Sequence, residues 1–319
     1  YNFFMKKSEI PTEVLKYELR KMQIKMAEES RSTFLTFVKK VWPEFIAGSH
    51  HKIIAKKFED ISRGKIKRLI VNMPPRHTKS EFASHLFPAW MLGQKPKLKI
   101  IQTTHTAELS YNFGRKVRNL FDQQEFKDVY PTVSLSQDSK AAGRFTTNAG
   151  GEYFAAGVGG AITGRGADLL IIDDPHSEQD ALSQTAMDNA YEWYTSGPRQ
   201  RLQPGGAIVI VMTRWGVKDL TGRLIDAQAK EPKADQWELI EFPAILPSQK
   251  PIWPEYWDIE TLQTTKASLT EQKWQAQWQQ KPTSEEGSII KREWWQTWDE
   301  EEVPDLIHVI QSYDTAFSK

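Results

Sequence analysis

Short apolar runs alternate with helical patterns through the middle of the chain. Runs with the length and composition of buried strands occupy residues 66–72, 98–103, 169–173, 207–212 and 237–242. Apolar residues recur at helical spacing between them, over residues 81–92, 107–121, 181–201 and 218–229. Strands that are separated by helices need crossover connections, which place the strands parallel in one sheet. The pattern therefore predicts an α/β fold, a mainly parallel sheet with helices on both faces.

The segments that flank this alternation follow other patterns. Three helices are predicted before the first strand, over residues 11–31, 32–41 and 50–61. Residues 144–162 are rich in glycine and aromatic side chains, and their weak alternation predicts one or two antiparallel strands added to the sheet. After residue 243, prolines separate short helical pieces, in which Trp274 and Trp278 lie one turn apart and form a packing face.

These changes of pattern predict the domain organisation. We expect residues 1–45 to form a helical segment that packs with the lid, residues 46–242 the core, and residues 243–304 a small, mostly helical lid and linker subdomain. A further apolar run begins at residue 305 and ends in Asp314. We expect residues 305–319 to be the first strand of another domain, of which the rest is missing.

The turn after the first predicted strand has the layout of a phosphate-binding P-loop. Its residues are Pro74, Pro75, Arg76, His77, Thr78, Lys79 and Ser80. At its end, Lys79 is expected to reach the β- and γ-phosphates of a nucleotide, and the hydroxyl of Ser80 is expected to bind Mg²⁺. Met73 and Thr78 stand where the consensus spacing has glycine. Because Lys-Ser before a helix is common, this loop alone is a weak signal.

A second motif follows the apolar run at residues 169–172. Asp173 and Asp174 come directly after it, at the end of a strand where open parallel sheets bind their ligands. We expect Asp173 to hold Mg²⁺ through water and Asp174 to polarise the attacking water. The alternative is that both acids cap the next helix, which would leave Lys79 without a metal partner. Together the two motifs predict a site that hydrolyses a nucleoside triphosphate.

Three weaker signals accompany these motifs. Arg165 lies in a glycine-dense loop that is either flexible or brings the arginine to a γ-phosphate, in its own subunit or a neighbour's, as an arginine finger. Thr213 ends another buried strand and is expected to sense the γ-phosphate, unless that strand exit only caps the following helix. The segment with His50 and His51 either borders the adenine base or carries surface histidines. Zinc is not expected there, because no third ligand lies nearby.

The composition indicates how charge is distributed along the chain and where the protein is expected to be located. Residues 1–80 hold 18 Lys and Arg against 8 Asp and Glu, a basic arm that suits a polyanion or an acidic subunit, although a solvated helical surface is the default. Cysteine is absent, which excludes disulfides and thiolate metal sites. No run reaches the ~20 apolar residues of a membrane span, and no signal-peptide pattern is present, so we expect a soluble intracellular protein.

The ordered set of motifs resembles the large subunit of tailed-bacteriophage terminases, the motors that package DNA into a procapsid. Matching elements extend over residues 34–317. In order, they are His50-His51, Pro74 to Ser80, residues 157–168, Ile171 to Pro175, Thr213-Arg214-Trp215, Trp253-Pro254 and Tyr313 to Ala316. Each element is common by itself, but the ordered set is specific.

The resemblance implies a P-loop NTPase core of the ASCE, RecA-like class that hydrolyses ATP with Mg²⁺ to translocate double-stranded DNA. It implies that Arg76 assists Lys79 at the phosphates and that Arg165 serves as a trans-acting finger. Thr213 matches the coupling motif. Asp314 matches the first metal-binding carboxylate of a C-terminal nuclease with an RNase H-like fold. The nuclease itself is expected only in a longer chain.

The implied partners are DNA, a homo-oligomeric ring, a pentamer on the procapsid, the portal protein and the small terminase subunit. The implied location is the host cytoplasm and, transiently, the procapsid, but neither a membrane nor the mature virion. One departure matters, because Asp174 stands where many relatives have glutamate, which reaches farther. Two other functions stay open: a helicase-like P-loop ATPase, and a non-catalytic DNA-binding module with a decayed loop.

Overall fold

The computed structural model describes residues 12–283, which are organised around one eight-stranded sheet. Its strands are β1 (Arg68–Asn72), β2 (Lys99–Thr104), β3 (Leu135–Ala141), β4 (Arg144–Thr147), β5 (Glu152–Gly157), β6 (Ala167–Asp173), β7 (Leu202–Met212) and β8 (Glu238–Glu241). Their order across the sheet is β3-β4-β5-β2-β6-β7-β1-β8. The six neighbouring strands β5, β2, β6, β7, β1 and β8 are parallel, and β3 and β4 add an antiparallel edge. The predicted fold class is confirmed.

Helices cover the sheet on both faces. They are α1 (Thr12–Ser32), α2 (Phe34–Val41), α3 (Ser49–Ser62), α4 (Phe87–Gln94), α5 (Ala107–Leu120), α6 (Gln124–Val129), α7 (Gln184–Ser196), α8 (Leu220–Lys230), α9 (Ile259–Ala267) and α10 (Glu271–Lys273). Two π-helical turns, Glu81–Leu86 and Trp274–Trp278, lie before α4 and after α10. Within residues 12–283, no helix combines the length and the apolar composition of a membrane span.

Side-chain caps explain where several helices begin. The side-chain oxygens of Thr106, Ser183, Asp219 and Asp258 accept hydrogen bonds from the first turns of α5, α7, α8 and α9. Helix α7 is shorter than the predicted 181–201, because Ser183 caps its start and Pro198 begins a separate 3₁₀ turn after its end. Helix α6 and strand β3 were not predicted. The polar sequence of β3 lacks an apolar run, since this edge strand is paired on one side only.

The core has two layers, one on each face of the sheet. Leu69 and Val71 of β1 join the larger cluster, while Ile70 between them joins the other, as the two-residue period of a strand requires. The larger cluster packs the sheet against α2 to α6, with Phe34 in edge contact with Phe58 and Phe87. The other packs it against α7 and α8. Both faces are covered, which is why the central strands are continuous apolar runs.

The N-terminal helices pack on this core. Near the end of α1, the carbonyl oxygen of Ser30 accepts a hydrogen bond from the indole of Trp90 in α4, at 2.9 Å. The guanidinium of Arg31 donates to the carbonyl oxygen of Val129 in α6, at 2.7 Å. These contacts are made with the core, and Phe34 lies in the larger core cluster. The expected packing of residues 1–45 with the lid stays a prediction.

Residues 243–283 form a small tryptophan-rich unit against the core. Trp274 and Trp278 stack with ring centroids 5.6 Å apart, as their spacing predicted, and both are buried with Leu262. The amide of Ala244 donates to the carbonyl oxygen of Trp278 at 2.7 Å, which closes the unit on itself. The predicted domain boundaries stay predictions, and the run at residues 305–319 with Asp314 lies outside the described residues.

Candidate functional site

Three strand ends meet at one edge of the sheet. The turn after β1, the acids after β6 and the polar residues after β7 all lie at carboxyl ends of adjacent parallel strands. Because β7 lies between β1 and β6, a loop and an acid pair that are far apart in sequence face each other across one strand. Open α/β sheets bind their ligands at this edge.

The turn after β1 holds an unusual backbone. Arg76 and Thr78 have φ values of 60° and 68°, a left-handed conformation in which residues other than glycine are uncommon. The following helix begins at Lys79, so the first-turn N–H groups have no helical acceptor. In the described part of the chain, the backbone N–H groups of residues 76–80 donate no hydrogen bond. Free N–H groups that converge at a helix start favour an anion such as phosphate.

Lys79 and Asp174 form the ion pair at the centre of the site. The ammonium nitrogen lies 2.9 Å from Oδ2 of Asp174, and the lysine side chain is only 8% exposed. The other oxygen of Asp174, Oδ1, accepts the backbone N–H of Thr213 at 2.8 Å. The hydroxyl of Thr213 donates in turn to the carbonyl oxygen of Met73 at 3.2 Å. Residues after β1, β6 and β7 are thus linked through one carboxylate.

Asp173 is fully buried and accepts two serine hydroxyls. Ser80 Oγ lies 2.9 Å from one carboxylate oxygen and Ser84 Oγ lies 2.7 Å from the other. Gln102 of β2 donates to Ser84 at 3.2 Å and supports that contact. Burial, and next the charge of Asp174, raise the pKa of Asp173 well above its ordinary value, against the lowering effect of Lys79. The site therefore holds a carboxylate whose negative charge is poorly solvated and favours a cation.

The sequence analysis missed Ser84 and Gln102. Ser84 lies four residues after Ser80, which places both hydroxyls on one helical face, and this spacing was a usable signal. Gln102 is a polar residue inside an apolar strand, and a buried amide of this kind needs a partner. Ser84 contacts Asp173 directly, and Gln102 supports Asp173 through Ser84.

The donor set fits a magnesium ion that is bound together with a phosphate. Mg²⁺ prefers oxygen ligands and typically takes one or two from the protein, with the rest from water and phosphate. Ser80 and Asp173 offer such oxygens beside the loop. Across residues 12–283, no group of three or more His, Cys, Asp or Glu side chains converges on a common point. A cation here would therefore need ligand oxygens from outside the protein.

His51 lies behind the loop and is fully buried. Its Nδ1 accepts the backbone N–H of Gly48 at 2.9 Å, and its Nε2 lies 2.5 Å from Oγ1 of Thr78. This placement differs from the expectation that the segment borders an adenine base, because both ring nitrogens are engaged and no edge is open to a ligand. It also differs from the alternative of surface histidines. His51 contacts the loop from the protein interior.

His50 and His77 complete a cluster of buried imidazoles with His51. The rings of His50 and His51 lie 3.8 Å apart, and His77 stacks on Trp257 with centroids 5.6 Å apart and planes 5° apart. Burial is the main cause that lowers the pKa of His50 to about 3, of His51 to about 2 and of His77 to about 4. All three rings are neutral near pH 7.

The two arginines that were expected at the phosphates lie in different places. Arg76 is exposed at the turn itself, and its guanidinium forms no hydrogen bond or ion pair with the residues that the structure describes. Arg165 pairs with Glu152 at 2.6 Å and lies over the ring of Phe154, 3.9 Å from its centroid. It precedes β6, whereas Asp173 ends that strand, and the strand length separates the two by about 20 Å. The structure therefore does not bring Arg165 to the site of its own chain.

A buried charge network lies beside Thr213 and was not predicted. Arg214 is 10% exposed and pairs with Asp219 at 2.9 Å and with Glu241 at 3.1 Å. The backbone N–H of Arg214 donates to the side chain of Gln280 at 3.2 Å. This network ties the end of β7 to α8, to β8 and to the tryptophan-rich unit. The Thr-Arg pair at 213–214 was a signal, but the partners come from distant segments.

Strand order and loop position define the class as a P-loop α/β fold of the ASCE type, in which one strand separates the loop strand from the acid-bearing strand. No protein-family model and no curated protein sequence matches the chain.

Several solved phage structures are similar to this fold. The HK97 bacteriophage large terminase is 13% identical with a TM-score of 0.49, over 78% of this chain and 54% of that one. The ATPase domain of the Thermus phage P74-26 large terminase is 13% identical with a TM-score of 0.47, over 71% and 93%. The large terminase of another thermophilic bacteriophage, solved in complex with ATP-gamma-S, is 9% identical with a TM-score of 0.43, over 69% and 50%. The chain spans about half the length of the first and the third of these proteins.

Proposed function

We propose that the protein is an ATP hydrolase and the motor part of a viral DNA-packaging machine. The observation that carries the proposal is the convergence of Lys79, Ser80, Asp173 and Asp174 beside free backbone N–H groups at the carboxyl edge of the sheet. A cationic side chain, an anion-binding turn and two carboxylates are the groups that hydrolysis of a phosphoanhydride requires.

The roles follow from the contacts. The backbone of residues 75–80 and Lys79 would hold the phosphates, with Pro75, His77 and Thr78 shaping the turn. Ser80 and Asp173 would bind Mg²⁺, which supplies charge neutralisation at the β- and γ-phosphates when it is bound. Lys79 would exchange the carboxylate of Asp174 for a phosphate, and this exchange frees Asp174 to accept a proton from the attacking water.

Thr213 is proposed to report the state of the site. Its N–H binds the carboxylate of Asp174, and its neighbour Arg214 is bonded to Gln280 in the tryptophan-rich unit. A change in the position of Asp174 would therefore shift the end of β7, and with it residues 243–283. This is the proposed route from hydrolysis to translocation of double-stranded DNA.

A second arginine is proposed to act between subunits. Arg165 lies about 20 Å from Asp173 along β6, too far for a contact within one chain. Arg76 has no hydrogen-bond or ion-pair partner among residues 12–283. We propose a homo-oligomeric ring, a pentamer on the portal protein, in which Arg165 reaches the site of the next subunit. A finger of this kind contributes ~10³–10⁵ to the rate. The isolated chain is then a slow ATPase.

The wider assignments rest on the sequence resemblance. They are a small terminase subunit as partner, the host cytoplasm and the procapsid as locations, and a metal-binding role for Asp314 in a nuclease.

The test is ATP hydrolysis as a function of protein concentration, with and without double-stranded DNA. We expect specific activity to rise steeply with concentration in the wild type and to be lost in Lys79→Ala. Arg165→Ala should lose the rise yet keep nucleotide affinity. Activity of Lys79→Ala equal to that of the wild type would contradict the assignment, and a lack of affinity for millimolar ATP would favour the decayed loop. Unwinding of duplex DNA would favour the helicase-like alternative.

A further inference from the structure

Thr78 holds a conformation that its side chain opposes. Its φ of 68° lies in the left-handed region, where a β-branched residue is a genuine outlier. Strain of this kind persists only where the surroundings hold the residue in place. Thr78 also occupies the position where the P-loop consensus has glycine, the residue that reaches this region without strain. Some other contact must therefore do what glycine does in the consensus loop.

A chain of hydrogen bonds supplies that contact, and its direction follows from its two ends. The backbone N–H of Gly48 can only donate, so Nδ1 of His51 accepts. The proton of the neutral ring is then on Nε2, which donates to Oγ1 of Thr78 at 2.5 Å. The hydroxyl of Thr78 donates to the carbonyl oxygen of His77 at 2.6 Å, and a carbonyl can only accept. His51 and Thr78 therefore each donate one proton and accept one.

The donor is itself fixed in position. The ring of His51 is fully buried and lies 4.9 Å from the ring of Phe82 and 4.8 Å from those of Phe45 and Trp253. A ring packed on three sides cannot follow the loop if the loop moves. The next loop residue is also held, because the ring of His77 stacks on Trp257 and its Nδ1 donates to the carbonyl oxygen of Pro75 at 2.8 Å.

We propose that His51 is a positioning residue, which through Thr78 holds the loop in its anion-binding shape and so replaces the missing glycine. The inference rests on the proposed function, since the shape matters for a bound phosphate. His51 touches no reacting atom in this arrangement. Its effect on a nucleotide depends on Thr78, and this dependence is what an experiment can isolate.

The experiment is a double-mutant cycle between His51→Leu and Thr78→Gly, with affinity for ATPγS and Mg²⁺ measured by calorimetry. Leucine keeps an apolar side chain in the packed site and removes both hydrogen bonds. We expect His51→Leu to weaken affinity about tenfold when Thr78 is present, because the strained residue relaxes. In the Thr78→Gly background, the same change should cost about twofold or less, since glycine needs no support. An equal loss in both backgrounds would overturn the proposal.

Two further variants separate positioning from folding. His51→Gln keeps an N–H donor near the place of Nε2, and we expect it to bind ATPγS within about threefold of the wild type. His50→Leu is the matched control, because His50 is equally buried in the same helix but makes no hydrogen bond to Thr78. It should lower thermal stability by the same amount in both Thr78 backgrounds. Loss of affinity in His51→Gln as large as in His51→Leu would overturn the role of the hydrogen bond.

A nucleotide-free readout keeps this inference distinct from the proposed function. The thermal midpoint of the same cycle should show that His51→Leu costs about 3 °C more with Thr78 than in the Thr78→Gly background. If the wild type binds no ATPγS, or Lys79→Ala binds it equally well, the proposed function fails while this coupling still decides whether His51 holds Thr78. If Lys79-dependent binding is found without coupling in either readout, His51 does not position the loop.

Discussion

The carboxylate of Asp174 lies between Lys79 and Thr213, 2.9 Å from the ammonium nitrogen of the lysine and 2.8 Å from the backbone N–H of the threonine. One oxygen thus faces Lys79 at the end of the turn after β1, and the other fixes the carboxylate to the end of β7. The two carboxylate oxygens of Asp174 therefore have different requirements. The oxygen that faces Lys79 needs a negative charge, whereas the oxygen that faces Thr213 needs only to be a hydrogen-bond acceptor in the same position.

Asp174→Asn should therefore abolish hydrolysis and keep nucleotide affinity. The amide can still accept the N–H of Thr213, but it cannot accept a proton from water, a contribution worth roughly 10²–10⁴ in rate. The measurement is single-turnover hydrolysis beside ATPγS affinity. Asp174→Glu is the control for reach, because it keeps the charge one methylene farther out, and we expect it to retain more activity than Asp174→Asn. Equal activity of Asp174→Asn and the wild type would remove Asp174 from the proton transfer.

Ser84 should affect the affinity of the site for Mg²⁺ and not only its affinity for the nucleotide. Ser84→Ala removes the hydrogen bond to Oδ2 of Asp173 and leaves the amide of Gln102 without its acceptor. Groups that orient a metal ligand typically change metal affinity by ~10–100-fold when they are lost. We expect the Mg²⁺ concentration for half-maximal hydrolysis to rise by roughly tenfold.

Ser110→Ala is the matched control for that prediction. Ser110 is equally buried, and it bonds Thr104 and the carbonyl oxygen of Ala156 instead of an acid. Its loss should lower stability but leave the Mg²⁺ dependence of hydrolysis unchanged. A shift of the same size in both variants would mean that the Ser84 effect comes from the fold.

Arg214 should contribute mainly to the stability of the fold. Arg214→Ala leaves the carboxylate of Asp219 buried without a countercharge, and breaking a buried pair on one side costs about 3–5 kcal/mol. Chemical unfolding followed by tryptophan fluorescence measures the loss. Lys230→Ala in α8, the helix that Asp219 caps, is the control, because the exposed pair of Lys230 with Asp226 should contribute about 0.5 kcal/mol or less. A cost below about 1 kcal/mol for Arg214→Ala would mean that Asp219 finds other partners.

The sequence was sufficient for the parts of the fold and site that depend on local pattern. The central strands are continuous apolar runs because both sheet faces are covered, and such runs are recognisable without a structure. Lys79 and Ser80 come after the turn that follows β1, and Asp173 and Asp174 lie at the end of β6. Their meeting at one edge of the sheet follows from parallel pairing.

The rest depends on contacts between segments that no local pattern encodes. The bond of His51 to Thr78 joins two helix starts that are 27 residues apart, and the network of Arg214 draws on Asp219, Glu241 and Gln280. Arg165 is close to the acids in sequence but not in space, because strand β6 carries Asp173 to the opposite edge of the sheet. The alternative that Arg165 acts on a neighbouring subunit stays a prediction.

The three buried imidazoles predict how stability changes with pH. Burial lowers the pKa of His50, His51 and His77 to about 3, 2 and 4, whereas an unfolded chain has histidines near the ordinary value of 6.5. Below pH 6.5 the unfolded state therefore binds protons that the folded state does not bind. The stability that these neutral rings contribute is fully present above that pH and is lost as the pH falls. In this window each ring lowers the free energy of unfolding by ~1.4 kcal/mol for every unit by which the pH falls. We expect unfolding measurements at pH 7.5 and 5.5 to differ by about 4 kcal/mol from these rings.

His50→Phe tests the source of that pH dependence. The variant keeps an aromatic ring against Trp253 but cannot bind a proton, so the difference between the two pH values should shrink by about a third. Phe45→Leu, which alters the same aromatic cluster without a titrating group, should lower stability at both pH values and leave the difference unchanged. Comparing variants at each pH cancels every other titrating group. An unchanged difference in His50→Phe would mean that His50 takes up its proton within the folded protein, and its burial would then not exclude charge.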